Sequence, residues 1–136
     1  MANGLYTNFY DQLMTKTIDL SADQINVALL DINYVVDLAN DTTYAASVTP
    51  TGAEIATGIL TNKTITDGVF NTDNYEFPGV VHGSNAKYVV VYHNPSGYLM
   101  AYFDTNTTGP INIPCVGNDI HTEWNATGIF AFANCP

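Results

Sequence analysis

Residues Lys87 to His93 read KYVVVYH, and after the turn Asn94-Pro95-Ser96-Gly97 the chain returns as YLMAYFD from Tyr98 to Asp104. Two strand-forming apolar runs separated by a short Pro/Gly turn specify an antiparallel hairpin. The centre of the first run carries no polar residue at either parity, so a strand there is expected to be buried on both faces. A chain organised around such a hairpin is a sheet protein before any other segment is read.

The remaining segments fit that frame. Leu5, Phe9 and Leu13 recur every fourth residue beside Tyr6 and Tyr10, which predicts a helix over Asn3 to Asp19. It is either packed on its own domain or an arm docked on a neighbouring subunit; covering a core is the ordinary role of an amphipathic helix. Ile25, Val27 and Leu29 then alternate toward Asp31 as a strand. Asp37 to Pro50 is polar and irregular, with a short turn at Asp41–Ala45. Ile55 to Leu60 reads as a strand broken at Gly58. Thr64-Ile65-Thr66, Asp67-Gly68 and Val69-Phe70 form a hairpin signal. Tyr75 and Phe77 alternate around Glu76, Ile111 and Ile113 make a short strand or edge segment, and Asp119–Trp124 pairs with Gly128–Ala133. Short strands punctuated by Gly, Pro and Asn read as an antiparallel β-sandwich or jelly-roll-like barrel, mainly β with one short N-terminal helix. The 136 residues suit one domain, with 1–20 as a helix or arm and 21–136 as a single β domain.

Charge narrows the function. Lys16, Lys63 and Lys87 are the only basic side chains apart from histidine, against thirteen Asp and Glu, for a formal charge of -10. Nucleic-acid binding and phosphate handling draw on Lys and Arg, and anionic membranes attract basic segments. Neither nucleic acid nor membrane is therefore an expected partner. No apolar run is long enough to span a bilayer, and no leader-like segment opens the chain. Four Asn-x-Thr sites, at Asn40, Asn62, Asn106 and Asn125, are read as products of turn composition.

Candidate chemistry is sparse. His82, His93 and His121 lie far apart in sequence, although His121 and Glu123 would share a strand face. Asp67, Asp73 and Glu76 crowd one region without the calcium-loop spacing, and turn roles suit them better. There is no nucleophile elbow, and Cys115 has no basic neighbour in sequence. No catalytic residue, cofactor or metal is expected. Cys115 and Cys135 are either two reduced thiols or a disulfide fixing the end of the chain. Among nine Tyr and six Phe, Tyr34, Tyr44 and Tyr75 fall near loops and are expected at a contact surface. Leu5, Tyr6, Phe9 and Phe77 are added from the N-terminal arm and the 71–79 loop. Phe70, Tyr88, Tyr92, Tyr102, Phe103 and Trp124 are expected in the core.

Several segments together resemble a family of small structural proteins of tailed bacteriophages. They are the start MANGLY, the run Asp23-x-Ile25-x-Val27-Ala28-Leu29-x-Asp31, the block Leu60–Asp73 (LTNKTITDGVFNTD), the pieces Val89–Tyr92 and Ala101–Asp104, and Asp119-Ile120 with Trp124. The resemblance implies a non-enzymatic decoration, or cement, protein on the outer surface of the virion capsid. Its expected partners are the major capsid protein and copies of itself, as a homotrimer, after synthesis in the bacterial cytoplasm. A tail, baseplate or fibre component and a glycan-binding β-sandwich module are the alternatives.

Overall fold

A computed structural model describes residues 3–106, 109–124 and 129–131. Its elements, in chain order, are β1 (Gly4–Leu5), α1 (Thr7–Met14), β2 (Gln24–Leu30), α2 (Tyr44–Ser47), a 3-10 turn (Thr49–Thr51), β3 (Glu54–Ile59), β4 (Thr64–Thr66), β5 (Val69–Asn71), β6 (Tyr75–Phe77), β7 (Tyr88–Asn94), β8 (Leu99–Phe103), β9 (Thr105–Asn106), β10 (Gly109–Pro110), β11 (Ile120–Thr122) and β12 (Phe130–Ala131). The protein is mainly β and sandwich-like. A five-stranded antiparallel sheet runs β1-β8-β7-β2-β3, with β1 and β3 at its edges among the described residues.

The hairpin β7–β8 sits inside this sheet with β2 on its other flank, pairing Val27 with Val91 and Val91 with Ala101. Strand alternation sends Ile25, Val27, Leu29, Val89 and Val91 into one core, and Ala28, Leu30, Val90, Tyr92 and Tyr102 into a second. The central strands are thus buried on both faces, as their unbroken apolar composition requires. The two-stranded sheet β6–β11 and the three-stranded sheet β4–β5–β12 are separate from the large sheet; Phe70, Phe77 and Ile120 from them enter the first core. At the β4–β5 turn Asp67 and Gly68 both take left-handed φ, 53° and 78°, which is why Asp-Gly works there.

Five expectations are corrected. The predicted helix shrinks to Thr7–Met14, because Gly4 and Leu5 pair with Tyr102 and Ala101 of β8 and Lys16 turns left-handed at φ 64°. The polar stretch 37–50 holds a second, one-turn helix, α2, capped by Thr43 Oγ1 accepting the Ala46 N–H. β3 runs unbroken through Gly58, where the Tyr75 ring occupies the space of a side chain: an added Cβ would lie 2.0 Å from its Cζ. Further, β11 pairs with β6 and β12 with β5. Proximity in sequence suggests that the last two strands pair together; instead each sets an apolar residue opposite an aromatic of an earlier strand, Ile120 against Phe77 and Phe130 against Phe70 in register. Ile111 and Ile113 form no strand, and Ile113 makes a single bridge to Ala86.

Residues 3–20 belong to the body of the domain. Phe9, Ile18 and Leu20 lie in the first core, and Tyr6 lies in the second.

Candidate functional site

The seven residues expected at a contact surface divide sharply. Tyr6, Phe9, Tyr34, Tyr44 and Phe77 are buried within the single chain, so their side chains do not form an outer surface. Leu5 and Tyr75 remain half-buried. The tyrosines go inside because hydroxyl partners go with them. Tyr34 donates to Asp41 Oδ2 at 2.7 Å, which leaves its oxygen to accept from Tyr6 at 2.6 Å. Tyr44 donates to Glu54 Oε1 at 2.6 Å and stacks on Tyr92 with centroids 4.4 Å apart. A buried phenol with an acceptor carries no unsatisfied polar group, so its ring area counts toward the core. Burial holds the phenols of Tyr6, Tyr34, Tyr44 and Tyr102 above the ordinary tyrosine range, and the neighbouring carboxylates push the same way.

The histidines are tied to carboxylates. His82 Nε2 lies 2.9 Å from Oδ2 of the buried Asp31. His121 faces Glu76 at 3.5 Å on the exposed side of β6–β11 rather than Glu123. The most ordered group is Asp23–His93–Ser96. His93 is 5% exposed; its Nε2–H donates to Asp23 Oδ2 at 2.6 Å, and its Nδ1 lies 2.5 Å from Ser96 Oγ. The Lys63 ammonium donates to the Asp23 backbone carbonyl.

Asp, His and Ser in that order also describe a hydrolytic triad, but the ring nitrogens are interchanged relative to one. The serine hydroxyl also accepts the Tyr98 N–H, inside a turn already closed by Gly97 N–H to His93 O. The group braces the hairpin turn against the start of β2. Replacing His93 with Ala should strip both partners and cost about 2–3 kcal/mol, read from urea denaturation; a loss below about 1 kcal/mol would show that the brace is idle. The Asp23 carboxyl is held below its usual range by the Asp19 N–H and then by His93. Its stabilisation is therefore present above pH ~4 and is lost as pH falls through the lower folded value.

Two features face outward. The first is a set of aliphatic side chains, Ile32, Val35, Val81 and Val116, which are 58%, 82%, 77% and 72% exposed. Val81 and Val116 are directly bridged, and the His82–Asp31 contact ties the 79–83 segment to the start of the loop that carries Ile32 and Val35. The second is an open groove of about 510 Å³ at the β3 edge, lined by Gln24, Asn26, Thr57, Gly58, Ile59 and Tyr75. By register Asn26 pairs with Ile59 and with Tyr92, so Gln24, Asn26, Thr57 and Ile59 share the second-core face, while Gly58, paired with Val27, faces the Tyr75 ring on the other side of the edge strand. Tyr75 is the one groove residue expected at a surface from sequence.

Cys115 is a buried free thiol that donates to Ile113 O at 3.6 Å. Its proposed partner Cys135 lies outside the described residues. Among the described residues no group of three metal-binding side chains occurs, and no helix is long and apolar enough to cross a membrane. No family model, curated protein or solved structure gives a significant match to this chain.

Proposed function

We propose that this chain is a non-enzymatic structural protein of a bacteriophage virion that decorates and stabilises the outer capsid surface as a homotrimer. One observation carries the reading. The segments that resemble the phage family make up the framework of one fold: Ile25–Leu29 lies in β2, Val89–Tyr92 in β7, Ala101–Phe103 in β8, and Leu60–Asp73 contains the β4–β5 hairpin. These segments lie in the large sheet and in the β4–β5 hairpin, so the resemblance that supports the reading is spread along the chain. Two physical features agree with it. With three Lys and no Arg the chain brings few cations to an interface, and the exposed Ile32, Val35, Val81, Val116 and Ile65 supply apolar contact area. Acidic copies crowded on a shell repel only weakly beyond about 8 Å at physiological salt.

Heads assembled without this protein are expected to break at lower temperature and in low salt, with stability restored by adding the purified chain. Heads that withstand both conditions equally well with and without it would remove the stabilising role.

A further inference from the structure

We propose that the groove at the β3 edge is a binding site for a neutral oligosaccharide. The inference does not rest on the virion reading, because the isolated chain contains the whole groove. The lining is the starting point. In a chain of net charge -10, none of the six lining residues is charged. An anionic ligand would meet the field of the whole chain without a cation to receive it, and a cationic one would find no carboxylate in the groove. A purely apolar ligand would desolvate two amides and two hydroxyls.

A sugar matches what remains. Its hydroxyls both donate and accept, as do the amides of Gln24 and Asn26 and the hydroxyls of Thr57 and Tyr75. Its C–H faces need apolar surface, which Ile59, 51% exposed, and the half-buried Tyr75 ring provide. The two amides are already oriented. Gln24 Nε2–H donates to Asn26 Oδ1 at 3.0 Å, and Asn26 Nδ2–H donates to the Tyr92 hydroxyl at 3.4 Å. That chain aligns two polar groups along one strand face before any ligand arrives, which lowers the ordering cost of binding. Gly58 keeps the wall thin, since a side chain there would displace the Tyr75 ring. The volume of about 510 Å³ falls within the range of ligand sites, ~300–1,000 Å³. Its open shape suits a segment of a longer glycan rather than an enclosed monosaccharide.

The test is an NMR titration of the isotopically labelled full chain with maltotriose, cellotriose, chitotriose and mannotriose, each to about 10 mM, a range that detects millimolar affinity. At least one is expected to shift the side-chain amides of Gln24 and Asn26 and the backbone N–H of Gly58. Affinity should fall about tenfold or more in Asn26→Ala, the scale of a lost hydrogen bond with its partner left unpaired. Gln24→Ala, at an exposed position, should weaken binding without disturbing the fold, and so covers the case in which Asn26→Ala fails to fold. No shift with any of the four sugars would overturn the proposal. So would shifts confined to other residues, or binding that both variants leave unchanged. Groove signals that move with protein concentration alone would also overturn it, because a second copy of the chain would then be the occupant.

Discussion

A variant lacking residues 1–9 is expected not to fold. In sequence the segment reads either as a helix packed on its own domain or as an arm docked on a neighbour, and its aromatics are structural on both sides of the sheet. Tyr6 and Phe9 are each 0% exposed, one in the second core and the other in the first. Losing a buried aromatic costs about 3–5 kcal/mol. Two such losses approach the whole stability of a small domain, about 5–15 kcal/mol. The deletion also removes β1 from the sheet edge, and with it Asn3 Oδ1, which accepts the backbone N–H groups of Asp104 and Thr105 at 2.7 and 3.1 Å. Near-ultraviolet circular dichroism and urea titration should show loss of fixed aromatic packing and of a cooperative transition. A truncated chain that melts cooperatively at the wild-type midpoint would mean that the segment is an arm after all.

The second large effect is alkaline. Below pH ~10 the phenols of Tyr6, Tyr34, Tyr44 and Tyr102 are protonated in both the folded and the unfolded chain, and their contribution to stability is complete. Above it the unfolded chain releases protons that the folded chain retains, because burial raises all four folded values. Stability then falls by up to about 1.4 kcal/mol per pH unit for each phenol. The loss is smaller at Tyr102, whose hydroxyl reaches Asp104 at 3.3 Å in part-buried surroundings and is partly screened. Together they remove several kcal/mol within one unit, enough to unfold a domain of ordinary stability. Tyrosinate absorbance should therefore rise in two phases. At least four of the nine tyrosines should titrate only in a steep, cooperative step that coincides with loss of circular dichroism. A single smooth titration of all nine, with the fold intact, would contradict the buried placement of the tyrosine layer.

How much of this was legible in sequence depends on how local each signal is. The β7–β8 hairpin announced itself because two short runs rich in β-branched and aromatic residues flank a Pro/Gly turn. The β4–β5 turn did so because Asp67-Gly68 tolerates the left-handed backbone that a two-residue turn demands. The second core was hidden. The stretch 37–50 reads as polar and irregular, and the acceptors that let Tyr34 and Tyr44 enter the interior, Asp41 and Glu54, are indistinguishable in sequence from ordinary surface acids. The pairing of β11 with β6 and β12 with β5 was lost for a different reason. Each partner lies more than forty residues upstream (Phe77 of Ile120 and Phe70 of Phe130), and nothing local encodes so distant a register. The groove shares that difficulty. Gln24 and Asn26 meet Thr57 and Ile59 only through the β2–β3 register, and of the six lining residues Tyr75 alone carried a signal, as an aromatic beside a loop. The brace on His93 likewise needs Asp23, seventy residues earlier in the chain.

The most direct test of the virion reading is cryo-electron microscopy of phage particles that carry this chain. Density of this fold is expected to repeat over the outside of the shell at three-fold or quasi-three-fold positions, with the exposed aliphatic side chains at a contact with capsid or with neighbouring copies. Density confined to the tail, or particles with none, would contradict it.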